Sequence, residues 1–187
     1  MNQRIIPLLL LPILLVSCLD KTTPTAVLVP EIPEFKDHYE DLTLQAQAWA
    51  NDAYLNKVVS PLGHQSWSLS ASFSSSTKTN EELEILIEPS GEFEQRIFQY
   101  PLDDVIEQPI LRKEWEIGSR EALSELISKN IESIQNFSKL CGSLVLVRTR
   151  SLPEQPLVWM LNFNDCLLPL SNSQSYLDPI NGIIINP

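Results

Sequence analysis

The sequence predicts an α+β protein built of two repeated units, each a helix packed on an antiparallel β-meander. Three observations predict it. A stripe of apolar residues at helical spacing opens each half of the chain, and runs of alternating apolar residues follow each stripe. Landmark residues also recur at one distance: Trp67 and Trp159 are 92 apart, and Gly91 and Gly182 are 91 apart. Two helix-then-strand units with shared spacing read as an internal duplication.

In the first half, "LTLQAQAWANDA" from Leu42 places Leu42, Leu44, Ala46, Ala48 and Trp49 compatibly with a short helix. "YLNKVVS" follows, and then "SWSLSASFS", where Trp67, Leu69, Ala71 and Phe73 alternate with period two as a half-buried strand requires. "ELEILIE" puts Leu83, Ile85 and Ile87 on one face, and the turn "PSG" leads into "EFEQRIF". In the second half, "SREALSELISKNIESI" carries Leu123, Ile127, Ile131 and Ile134 along one stripe, with Ser119 as N-cap. "SLVLVRTR", "LVWMLNF", "SYLDP" and, after Asn181-Gly182, "IIIN" are its strands. The boundaries are residues 41–100 for the first unit, 101–118 for a connecting segment and 119–187 for the second unit.

Ahead of both units stands a leader. Arg4 is followed by an apolar run from Ile5 to Val16 that is interrupted by Pro7 and Pro12. A membrane span needs about 20 apolar residues, so this shorter run reads as the core of an export signal. Leu15, Val16, Ser17 and Cys18 resemble the bacterial lipoprotein signal motif, in which a small residue precedes a cysteine that is lipidated and becomes the new N-terminus. The resemblance implies cleavage after residue 17, acylation of Cys18, and an extracytoplasmic protein anchored to the cell membrane, or to an outer membrane if the host has one. One acyl chain holds a protein only marginally, so the several chains of the lipoprotein family make attachment permanent. Residues 18–40 hold Pro24, Pro30 and Pro33 and read as a tether, although "AVLV" within them also suits an edge strand.

The formal charge is −11, and removing residues 1–17 takes away one Arg and no acid, leaving −12. So acidic a surface repels phosphates and anionic headgroups, which excludes nucleic acid as a partner and leaves the lipid anchor as the contact with the membrane.

With Cys18 acylated, Cys141 and Cys166 remain, and an exported chain with an even remainder invites a disulfide. If "SLVLVRTR" and "LVWMLNF" form a hairpin centred between Pro153 and Glu154, opposed residue numbers sum to 307, and Cys141 faces Cys166 directly. Opposed Cα atoms about 4.5–5.5 Å apart suit a disulfide.

The closing "YLDPINGIII" resembles the last hairpin of PepSY-like domains of exported bacterial proteins, with Tyr176, Leu177, Asp178, Gly182 and Ile183 to Ile185 as the matching residues. In the first half only Glu88 and Gly91 match, since Pro89-Ser90 replaces the longer turn. The resemblance implies a small extracytoplasmic binding or inhibitory module. Tandem helix-plus-sheet units are also similar in architecture to the β-lactamase inhibitor proteins, without residue-level matches.

Enzymatic chemistry finds little support. The two histidines lie in "FKDHYED" (His38) and "PLGHQSW" (His64), neither set among nucleophile and carboxylate partners. Asp37, His38, Glu40 and Asp41 read as a solvated segment rather than a metal site, and HExxH, GxSxG, CxxC and glycine-rich phosphate loops are absent from the sequence. No cofactor and no metal are therefore expected. Trp115, among Arg112, Lys113, Glu114 and Glu116, is either an edge-strand anchor or part of a binding surface. The function expected is non-catalytic, a membrane-anchored module that binds or inhibits another envelope protein; the alternative is a small-molecule-binding or sensing lipoprotein.

Overall fold

The computed structural model describes residues 31–63, 68–88, 90–99, 108–130, 140–165 and 168–186. The elements run α1 (Phe35–Trp49), β1 (Tyr54–Leu62), β2 (Leu69–Ser74), β3 (Glu81–Ile87), β4 (Phe93–Gln99), a 3-10 turn (Arg112–Glu114), α2 (Ser119–Lys129), β5 (Leu140–Arg148), β6 (Leu157–Asp165), β7 (Leu168–Leu177) and β8 (Ile184–Ile185).

The strands do not divide into two meanders, each under its own helix. They form one eight-stranded antiparallel sheet in the order β4-β3-β2-β1-β5-β6-β7-β8. The joint is β1 on β5, from Val58↔Leu146 to Leu62↔Gly142. Separate units would leave β1 and β5 as exposed edges rich in Val and Leu, and pairing them removes both. The two-unit expectation is corrected on this point, since the two halves share one sheet and its main core.

Both helices lie on the same face of the sheet, α1 against β1, β2 and β3, and α2 against β6 and β7. Phe35, Leu42 and Ala46 of α1 and Leu123, Leu126 and Ile127 of α2 join Val58, Phe73, Ile85, Leu146 and Trp159 of the sheet in one core. A bulge between Leu55 and Lys57 turns Leu55 and Val58, three apart, to the same buried side. Gly142 has its own requirement: a Cβ there would sit 1.9 Å from the Asn162 carbonyl oxygen, so only glycine lets β5 approach β6 at this point.

The helix ends explain two further departures from the sequence reading. α1 starts at Phe35, inside the stretch expected to be tether, because Glu34 caps it, accepting from Lys36 N at 3.2 Å. The same carboxylate accepts from the backbone N–H groups of Ser119 (3.0 Å) and Arg120 (3.1 Å), and so caps α2 as well. With that cap supplied from a distance, Gly118 rather than Ser119 is the N-cap of α2, and Ser119 is its first helical residue. The Ser119 hydroxyl donates to Pro33 O (2.7 Å) and accepts from Phe35 N (2.9 Å), fastening the two helix starts together. Of the residues expected to extend α2, 131–139 lie outside the described ones, as do the leader, Cys18 and "AVLV".

Candidate interaction surface

The opposite face of the sheet carries no helix among the described residues. In an antiparallel sheet directly opposed residues share a face, so the register runs a row from Leu86 through Ser70, Val59, Val145 and Met160 to Tyr176. Beside it lies a second row, Arg96, Glu84, Ser72 and Lys57. The face thus passes from charged at β3 and β4, through small hydroxyls on β2, to apolar at β5 and β6.

Part of this face is sheltered. Leu152, in the β5–β6 loop, packs with Val158 and Tyr176, and Met160 and Ile185 close around them. Ser70 and Ser72 are buried as well, since their short side chains sit below the longer neighbours on β1 and β3. Leu86, Val59 and Met160 stay partly exposed on it, beside the charged Lys57, Glu84 and Arg96.

The residues singled out in the sequence are placed as follows. Trp115 is fully buried, not part of a binding surface. Its ring lies between Phe35 (centroids 5.1 Å apart) and Tyr39 (5.5 Å), and the Arg112 guanidinium stacks 4.2 Å from its centroid. Lys113 and Glu116 beside it in sequence are exposed, while the indole turns in under Arg112. Its Nε1–H has no hydrogen-bond partner among the described residues, in contrast to Trp159, whose Nε1 donates to Ile117 O at 2.9 Å. His38 is half-buried on α1, edge-on to Phe93 at 6.5 Å. Among the described residues no three His, Cys, Asp or Glu side chains stand together as a metal site. His64 and Trp67 lie outside the described residues.

Cys141 is half-buried on β5, and its sulfur is not a free thiol. The hairpin register differs from the one expected. Cys141 opposes Asn164, and opposed residue numbers sum to 305. The cause is the loop: it closes at Thr149 N to Pro156 O (3.1 Å), with Glu154 and Gln155 both in the left-handed region at φ 65° and 49°, so the hairpin centre moves one residue toward the N-terminus. Cys166 lies outside the described residues, and its pairing with Cys141 is kept as a proposal.

Two acidic groups have structural duties that the sequence did not announce. Burial alone would push Glu114 up, but the Leu111 N–H (2.8 Å) and the Arg148 guanidinium (2.6 Å) outweigh it and hold the carboxyl below its ordinary range. With Ile110 N bonded to Leu55 O (2.8 Å), this pair pins the segment ahead of α2 to the sheet. Asp52 is held below the usual carboxylate range by hydrogen bonds from the Ser75 and Ser76 hydroxyls, with Thr77 adding two more, and so ties the β2–β3 loop to the end of α1. No local pattern marks the long-range pairings, because Arg148 lies 34 residues from Glu114 and the Ser75–Thr77 loop lies 23 to 25 from Asp52.

No protein-family model matches the chain, and no curated protein sequence matches it. A solved structure from Clostridium difficile 630, assigned as a lipoprotein, shares the fold with a TM-score of 0.53 at 8% identity, over 79% of this chain and 90% of that one. The turn after β7 closes where Asp178 N donates to Ile183 O (2.8 Å) and the Asp178 carboxylate accepts from Ile180 N (2.8 Å), a geometry that does not by itself support the PepSY-like expectation. With no family model matching, that resemblance rests on this hairpin alone. No described helix is long and apolar enough to cross a membrane.

Proposed function

We propose that this protein is an exported lipoprotein, acylated at Cys18, whose sheet-and-helix domain binds or restrains another envelope protein without catalysis. The observation that carries the anchor is the order of Arg4, apolar run, Ser17 and Cys18 at the N-terminus. The fold shared with a chain assigned as a lipoprotein supports it. The helix-free sheet face supports the binding role.

Replacing Cys18 tests the anchor. Cys18→Ala is expected to abolish incorporation of labelled palmitate and to leave the protein either uncleaved or in the soluble extracytoplasmic fraction. A Cys18→Ala protein that still takes up palmitate sinks the reading. For the partner, a photo-crosslinking residue at Val59, on the helix-free face, is expected to capture one envelope protein that the same residue at Glu121, on the outer side of α2, does not. Equal capture from both positions would show that the face is not the site.

The proposed bond between Cys141 and Cys166 is read by labelling thiols in the unfolded, non-reduced exported protein. No label on either cysteine is expected; two labelled cysteines would remove the bond.

A further inference from the structure

Among the described residues β4 is an edge of the sheet, paired on one side with β3. Six of its seven residues, Glu94 to Gln99, are exposed, and Ile97 and Phe98 are 56% and 39% exposed. Edge strands of this length are ordinarily shortened, bulged, covered or broken by proline, because an open row of N–H and C=O groups pairs with any strand that reaches it. Among those devices β4 shows only charge, Glu94 and Arg96.

The two charges are arranged to complement themselves. We propose that β4 pairs antiparallel with β4 of a second copy of this chain, about a two-fold axis through Gln95. In that register Glu94 faces Arg96 of the other copy, Phe93 faces its Ile97, and Gln95 faces its own counterpart. Glu94 and Arg96 already form an ion pair within one strand, at 2.9 Å on the helix-free face. Dimerisation closes the two pairs into a ring of four alternating charges. Phe93 and Ile97 lie on the helix-bearing face, opposite Ile87 and Leu83 of β3, so the apolar cross-strand pairs extend the core side of the sheet across the junction.

Neighbouring registers are worse in chemistry. An axis through Arg96 sets Arg96 against Arg96, and one through Glu94 sets Glu94 against Glu94. An axis through Ile97 puts Arg96 opposite Phe98 and pairs no opposite charges. The Gln95 register alone among these four matches charge with charge and apolar with apolar. It makes one continuous sheet of twice eight strands, with all helices on one side. The contact lies at the far end of the sheet from Tyr176 and Met160. The inference does not depend on the lipid anchor.

Single cysteines introduced into the full chain test both the contact and its register. Opposed Cα atoms at an antiparallel pair fall within disulfide reach, whereas positions one or two residues off the axis oppose a different residue. Gln95→Cys is therefore expected to form a covalent dimer under mild oxidation, and Arg96→Cys and Ile97→Cys to form little, with the unsubstituted chain as background for the native cysteines. Sedimentation of the full chain in density-matched detergent is expected to show a monomer–dimer equilibrium, weakened about tenfold by Arg96→Glu. The double change Glu94→Arg with Arg96→Glu is expected to restore it. A native chain that stays monomeric from micromolar to millimolar overturns the proposal, and so does preferential crosslinking at position 96 or 97.

Discussion

A chain that begins at Tyr39 will fail to fold cooperatively, while one that begins at Glu31 will melt within a few degrees of the full chain. The two differ by eight residues, and those eight hold the helix layer together. Ile32 is 1% and Phe35 0% exposed, both in the core that the two helices share, and Phe35 packs against Trp115 and Tyr39. Losing a buried Phe costs about 3–5 kcal/mol and a buried Ile about 2–5 kcal/mol. Glu34 goes too, and with it the cap of two helices at once, at about 0.5–2 kcal/mol for a single cap. The sum rivals the whole stability of an ordinary domain, roughly 5–15 kcal/mol. The reading of residues 18–40 as a tether implies the opposite result, since that stretch shows little periodicity. Thermal unfolding followed by circular dichroism decides it: matching sigmoidal transitions for the two chains would mean that the docking of Ile32 and Phe35 contributes nothing.

The elements themselves were largely legible. Leu83, Ile85 and Ile87 alternate, and so do Leu69, Ala71 and Phe73, and each set became one buried face of a strand. Leu123 and Ile127 became the inner side of α2. Periodicity is a local property, and these faces are local. What it does not carry is which strand lies beside which. Two four-strand meanders and one eight-stranded sheet have the same pattern of alternation, and they differ only in whether β1 meets β5. The first turn of α1 was missed for a related reason: Pro33 and the charged "EFKDHYED" look like tether, and the residue that stabilises the helix start, Glu34, is held in turn by backbone groups 85 and 86 residues away. The hairpin register failed by one residue of its centre, since two consecutive left-handed residues, Glu154 and Gln155, are not implied by a Pro-Glu-Gln-Pro turn. Trp115 shows the same limit in a side chain. Its neighbours in sequence are charged, but its neighbours in space are aromatic.

Trp115→Ala is expected to destabilise the protein by about 3–5 kcal/mol, as truncation of large buried aromatics does. For a chain of this size that lowers the melting temperature by roughly 10 °C. Trp115→Phe is expected to cost much less, and the reason lies in the indole nitrogen. Nε1–H is buried without a partner among the described residues, and an unsatisfied donor costs about 1–3 kcal/mol, which phenylalanine does not carry. Against that gain stand the smaller ring and a weaker stack under the Arg112 guanidinium. The two variants therefore separate packing from polarity at one position. Equal losses for Ala and Phe would mean that Nε1–H makes a hydrogen bond in solution. The pair also tests the two roles the sequence left open: if Trp115→Ala folds with native stability yet no longer captures a partner through the photo-crosslinker at Val59, the tryptophan acts as a contact residue. Loss of stability with capture restored by Trp115→Phe is the outcome expected of a core residue that holds α1 to the segment leading into α2.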